Sequence, residues 1–478
     1  DLLGKEGIKH PNWRVRMMVA IAMGRIGELS FIENLQKRLE DEKEIRPVLD
    51  VSVLALGQLQ SMTDEPKLFK IAASPRNALI TRGFAIYALG LGFARQPEVS
   101  EKLLKLYEAS NEEEIRAAIL TSLGLSKREE NLEFLATILL DEKQSTELRC
   151  YAAQALGLLN QPKALVALIS AFSTKKFFVR GAILLALAEL DLNDEKMEKK
   201  RRNFLIQALK SEKNAQNLGF ACLALGKITA KTKDEKERKT LLFRLSSMLE
   251  SGQGVVRPYA VLALGMVANT YPNKQICKWI EDRYKSERDY RNKGAYLLAM
   301  GFARDEEALP LLVDETLLKD RQLLEYALNA IGMIVEPAKN RTKYQKKISL
   351  FLKNVLKQNL GYSSIVRASA LALKRLGDPS LDPKELSGLQ ILEKLSRHRN
   401  RYVAANSIMT LAMIAGNQVS PSLVKRINTI RDPYVLVYCT AALGKIHQKE
   451  KVTTTEKLTL NYNYRASLRL HDHLKKIP

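Results

Sequence analysis

An all-α chain, a right-handed α-solenoid (superhelix) of about thirteen helix pairs, is predicted by three observations: a segment that recurs at near-constant spacing, an abundance of Leu and Ala, and only 6% aromatic residues. The recurring segment opens on an apolar residue and Arg, continues through Ala and Leu, and closes on Ala-Leu-Gly or a near variant. It runs from Val15-Arg16 to Gly24, Thr81-Arg82 to Gly90, Ile115-Arg116 to Gly124, Leu148-Arg149 to Gly157 and Val256-Arg257 to Gly265, with each Arg eight residues before its Gly. Weaker copies close at Gly57, Ala188, Gly226, Gly301, Gly332, Arg375, Ala412 and Gly444. Closing positions are 31 to 43 residues apart, the period of stacked helical pairs.

Within a copy, Ala152, Ala155, Leu156 and Leu159 fall on one stripe of a helix that must be covered over a wide arc. The other half of each period, such as 131–140 or 164–172, is a second amphipathic helix. Small Ala side chains allow neighbouring helices to approach to the short end of the usual ~8–10 Å, so that stacked repeats share one core. Residues 1–448 are therefore expected to form the solenoid, and 449–478 a basic tail or cap. Between repeats eleven and twelve, Asp378-Pro379 and Asp382-Pro383 stop the helical pattern. In the tail, the partial alternation from Val452 to Tyr464 reads as an extended strand. It is expected either to cap the last repeat or to continue into a partner's sheet.

The chain carries 76 Lys and Arg against 53 Asp and Glu, a formal charge of +23. Residues 339–478 hold 26 basic against 8 acidic residues, a surplus of 18 that leaves only 5 for the rest. Such a field attracts acidic proteins or polyanions. Cys150, Cys222, Cys277 and Cys439 form no CxxC pair and read as small core residues, which favours a reducing compartment. The cytoplasm is the first expectation, and an exported form with its signal peptide removed is the alternative, because Asp1–His10 reads as the tail of a helix already under way. No apolar run is long enough to predict a spanning helix.

The Val-Arg-x-x-Ala-x-x-Ala-Leu-Gly segment resembles that of HEAT-like repeats, in the short variety also found in bilin lyases of light-harvesting antennae, and the resemblance covers about residues 10–448. It implies a stack whose members elsewhere include scaffolds, adaptors, nucleic-acid binders and a few enzymes. It also implies that Arg16, Arg82, Arg116, Arg149, Arg180, Arg257 and Arg367 bond to acids or carbonyls of a neighbouring repeat. These arginines are expected to be structural.

Departures from the repeat supply the candidate partner-binding residues. An aromatic recurs six residues before the closing position at Phe84, Tyr151, Phe220, Tyr259, Tyr326 and Tyr438, a column that would either anchor a partner or fill gaps between repeats. The stretches 191–202 and 231–239 mix Lys and Arg with acids and read as solvated helix surface. Lys339, Arg341, Lys343, Lys346 and Lys347 have no acid among them and, with Lys394, Arg397, His398, Arg399 and Arg401, form the best candidate for a polyanion contact.

A catalytic reading finds little support. Five scattered histidines leave His471-Asp472-His473 as the sole close pair, too few ligands for a metal. No His-Glu dipeptide occurs, which excludes the di-iron chemistry that resemblance to deoxyhypusine hydroxylase would bring. Trp13 and Trp279 stand too far apart for the pocket of a HEAT-like DNA glycosylase. No Gly-rich phosphate loop, Ser-His-Asp spacing or zinc signature is present. The expected function is a non-enzymatic scaffold, without cofactor or metal, for protein partners of acidic character. The alternative is a nucleic-acid binder that tracks phosphates through the basic third.

Overall fold

The repeat segments form thirteen helices: α1 (Trp13–Ile26), α2 (Arg46–Leu59), α3 (Leu79–Gly92), α4 (Glu113–Leu125), α5 (Thr146–Leu159), α6 (Phe177–Glu189), α7 (Ala215–Lys231), α8 (Arg257–Thr270), α9 (Tyr290–Ala303), α10 (Arg321–Val335), α11 (Ser363–Leu376), α12 (Arg401–Ala415) and α13 (Pro433–Ile446). The structure is a computed structural model that describes residues 2–60, 64–251, 254–335, 341–359, 362–376 and 388–449. Among the described residues every regular element is a helix and there is no strand. The Asp-Pro steps and the strand expected at 452–464 lie outside the described residues.

Local chemistry sets the helix boundaries. At α5, Ser145 accepts from the Leu148 amide at 3.1 Å, and Asn160 closes the helix in the left-handed conformation at φ 55°. Pro47 enters α2 in its first turn, where an amide hydrogen has no intrahelical partner. Asn400 and Asp432 cap α12 and α13 through the amides of Tyr402 and Tyr434, at 2.9 and 2.8 Å. Companion helices such as Ile32–Leu39 and Asn131–Leu140 occupy the other half of each period.

The described residues fall into two compact units, one comprising the chain up to Arg201 plus the segment from Ser420, the other Arg202–Val419. Within the second unit α7 to α12 stack in chain order. Within the first, α1 to α6 stack likewise, and α13 packs on α1.

One packing rule serves nearly every layer: the closing Gly of one repeat lies against the Ala two residues before the next closing position. A β-carbon added at Gly57 would lie 2.5 Å from the Ala88 Cα, and one at Gly226 would lie 2.5 Å from the Ala263 Cβ. Gly124 against Ala155, Gly265 against Ala299 and Gly301 against Ala330 repeat the fit. Only a residue without Cβ permits this approach.

The same rule joins the chain's last repeat to its first. Gly444 faces Ala22, with an added β-carbon 2.8 Å from its Cα. Beyond α13, the Lys449 amide donates to the Arg25 carbonyl at 3.2 Å, while its ammonium reaches the Gly27 carbonyl at 3.2 Å and Glu28 at 2.9 Å. Each of the two repeats covers an apolar face of the other.

The eleventh repeat is out of step. A β-carbon added at Gly332 would lie 3.7 Å from Ala372, so the rule puts the closing position at Lys374 and the residue eight before it at the buried Val366. Arg367 therefore lies one residue further round the helix than the recurring arginines, and it is exposed.

Candidate partner-binding site

Four of the recurring arginines reach from one repeat to the next. Arg82 donates to the Ala72 carbonyl at the end of its companion helix at 3.0 Å, and to Glu112 of the following repeat at 2.7 Å. Arg16 holds the buried Glu44 through two bonds of 2.8 and 2.6 Å, which keeps the Arg16 guanidinium above its ordinary pKa. Arg149 uses the Leu139 carbonyl and Thr174, and Arg257 lies 3.8 Å from Glu287. Arg180 bonds the Thr174 carbonyl of its own repeat at 2.9 Å. Arg116 lies over the Tyr107 ring at 5.2 Å. The acids stand just ahead of the next repeat helix, so these pairs mark one edge, where the repeat helices begin.

The aromatic column is largely internal, and of the two uses expected for it the rings fill the space between repeats. Phe84, Tyr151 and Phe220 are buried. The Tyr259 ring covers Gly219 of the preceding repeat and the Tyr326 ring covers Gly294, where an added β-carbon would collide with each ring. Tyr259 also meets Phe220 edge-on at 6.0 Å, and Tyr438 pairs with Tyr434 at 5.0 Å between ring centroids. Position six before the closing residue thus faces the neighbouring repeat. Of the column, only Tyr326 is largely open to solvent, at 38%.

The two basic stretches separate. Lys339 lies outside the described residues, as do the side chains of Arg341 and Lys343, whose backbone opens the helix Arg341–Gln358. Lys346 and Lys347 are exposed near the start of that helix. Arg397, Arg399 and Arg401 are exposed on the link into α12. At 1.5 Å per residue, about 17 Å of helix lies between Lys347 and the link that enters α11. An antiparallel pair therefore puts Lys346 and Lys347 towards the edge opposite the one where α11 and α12 begin.

The link itself is tightly specified. Ser396, Arg397 and His398 donate their amides to the carbonyls of Leu392, Lys394 and Leu395 at 2.7, 3.2 and 3.0 Å, ending the companion helix Gly388–Leu395. His398 Nδ1 then accepts from the Asn400 amide at 3.0 Å. With its backbone held, the link presents Arg397 and Arg399 to solvent. Tyr362, just before α11, and Tyr402, in the first turn of α12, are 41% and 50% exposed. Arg321, the first residue of α10, stacks on Tyr362 at 4.0 Å, which shows that successive repeat helices begin side by side. A search at one fixed offset from the closing residue misses both tyrosines, because they stand at different offsets; their shared place at helix starts was the usable signal.

Nucleophiles and metal donors are turned to structural use. Burial pushes the thiols of Cys150, Cys222, Cys277 and Cys439 up to about 12. His10 Nδ1 accepts from Asn12, and His447 bonds the Ser420 hydroxyl at 2.8 Å. Among the described residues no group of three His, Cys, Asp or Glu could hold a metal. His471-Asp472-His473 lies outside them. No helix among the described residues is long and apolar enough to cross a membrane. On the mixed-charge stretches the lysines are solvated as expected, but Arg201 is buried, donating to the Leu187 and Leu190 carbonyls at 2.9 and 2.6 Å.

Residues 132–215 match the family described as HEAT repeats. No curated protein matches the chain. Among solved structures, the karyopherin Kap95p, from a study of its binding to RanGDP, is similar at 16% identity and TM-score 0.39 over 99% of this chain and 65% of that one. Kap121p bound to the extreme C-terminus of Cdc14p is similar at 15% identity and TM-score 0.38 over 100% of this chain and 54% of that one. Human deoxyhypusine hydroxylase is similar at 20% identity and TM-score 0.25 over 56% of this chain and 95% of that one.

Proposed function

We propose that this stack of helical repeats, whose residues 132–215 match HEAT repeats, is a non-enzymatic scaffold that docks protein partners on its surface, with the basic C-terminal third favouring acidic ones. The observation that carries this reading is a charge imbalance. Among the described residues from 341 to 419, exposed Lys346, Lys347, Arg367, Lys394, Arg397 and Arg399 share the stretch with a single carboxylate, Glu393. Structural pairing within the fold would call for acids alongside such cations, and a surplus left on the surface steers association with opposite charge.

The test captures partners with the full chain from nuclease-treated lysate and reconstitutes each as a purified one-to-one complex. Neutralising Lys339, Lys343, Lys346, Lys347, Arg397, Arg399 and Arg401 together is the comparison. A defined protein complex that survives about 200 mM salt, and weakens in the neutralised variant, is expected. Recovery of nucleic acid in untreated lysate, with affinity falling several hundredfold or more between about 50 and 200 mM salt, and no reconstituted protein complex, would replace the scaffold by a phosphate-tracking protein.

A further inference from the structure

We infer that the edge of the second unit where α10, α11 and α12 begin is a binding site for an extended acidic peptide segment, whose carboxylates engage Arg367, Arg397 and Arg399 between the exposed rings of Tyr362 and Tyr402. This deepens the scaffold reading and rests on it.

The repeat itself supplies the comparison. Where repeats one and two, three and four, and eight and nine meet, an Arg of one repeat faces an acid just ahead of the next repeat helix: Arg16 with Glu44, Arg82 with Glu112, Arg257 with Glu287. Between repeats eleven and twelve both halves of that pair are changed. The internal position carries the buried Val366, while Arg367 stands exposed beside it. The place ahead of α12 that elsewhere holds Glu carries His398 and Arg399. The side chains of Arg367, Arg397 and Arg399 have no partner among the described residues. Nothing in the packing requires three exposed guanidinium groups here, and a carboxylate is the group that three other layers bring to this position.

Peptide is favoured over nucleic acid by the same comparison, since the group missing from this layer is a side-chain carboxylate. Tyr and Arg side by side are the residues enriched where protein interfaces concentrate their energy. Guanidinium forks pair with carboxylates in bidentate fashion. The three helix starts span two steps of about 10 Å, a length that about six to eight extended residues cover.

A fluorescent peptide of about ten glutamates is titrated against the full chain by anisotropy, in parallel with a single-stranded RNA of equal charge. Changing Arg367→Glu, Arg397→Glu and Arg399→Glu together is expected to weaken the peptide about tenfold or more, while Lys236→Glu, Lys274→Glu and Lys278→Glu together change it less than about threefold. All six side chains are exposed, so unfolding temperatures should match. Absence of peptide binding, equal losses in the two triple variants, or tighter binding of the RNA would overturn the site. Failure here with an intact partner complex in the arginine variant leaves the scaffold reading standing, whereas a site-specific loss of peptide with no partner complex recovered would sink only the scaffold.

Discussion

Gly57→Ala is expected to destabilise the first unit by about 2–3 kcal/mol, whereas Gly332→Ala in the second unit is expected to be neutral or to stabilise by up to about 1 kcal/mol. Both glycines close a repeat, and by helix propensity alone both changes should help. Space decides the sign. At Gly57 the new methyl would lie 2.5 Å from both the Cα and the carbonyl oxygen of Ala88, atoms of a neighbouring backbone that cannot rotate away, so α2 and α3 must part. Overpacking of that kind usually costs about 1–3 kcal/mol, and separation of two helices loses contacts along their length as well. At Gly332 the nearest atoms lie at 3.7 Å, an ordinary contact, and only the gain in propensity remains. Urea unfolding of each variant, followed by a probe in the affected unit, reads the two effects. Equal shifts of the same sign would show that the closing glycines do not act through inter-repeat distance.

Asp50→Asn is expected to stabilise the chain at neutral pH and to do so far less in acid. Asp50 is buried in α2 and accepts the Thr81 hydroxyl of the next repeat at 2.7 Å. Burial lifts its carboxyl to about 6, against the pull of the Thr81 bond and the Arg46 charge. The folded value lies above the unfolded one, so the folded state binds the extra proton: stability falls as pH rises from about 4 to about 6 and stays lowered above that. Asparagine keeps an acceptor for Thr81 and removes the charge. Any cost of placing its amide hydrogens is the same at every pH, so the difference between variant and parent at pH 7.5, minus that at pH 4, isolates ionisation. That double difference is expected to be about 2 kcal/mol in favour of the variant. A value near zero would mean that Asp50 ionises as freely as an exposed aspartate.

The repeat was legible because the fold uses it directly. The Arg eight residues before the closing Gly ties repeats together, as at Arg82, and the Gly and Ala positions are where helices touch. The exposed faces were less legible. Tyr259 and Phe220 share one offset because that offset faces the adjacent repeat, where Gly219 leaves room for the ring, so a periodic column marked packing. Arg367 carries the same Val-Arg signature as Arg16, yet one residue of helical phase places it on the surface. The meeting of first and last repeats had no signal at all, since Ala22 and Gly444 are the same residues that join any two neighbours.

That meeting is also where the stacking rule faces its strictest test, because Lys449 and Glu28 are separated by 421 residues of chain but by 2.9 Å in space. A carbodiimide, which couples an amine directly to a carboxylate, should join Lys449 to Glu28 in the monomeric fraction, alongside the local pair Lys163 and Glu129 at 2.5 Å. Recovery of the local cross-link without the Lys449–Glu28 cross-link would contradict the packing of the final repeat on the first.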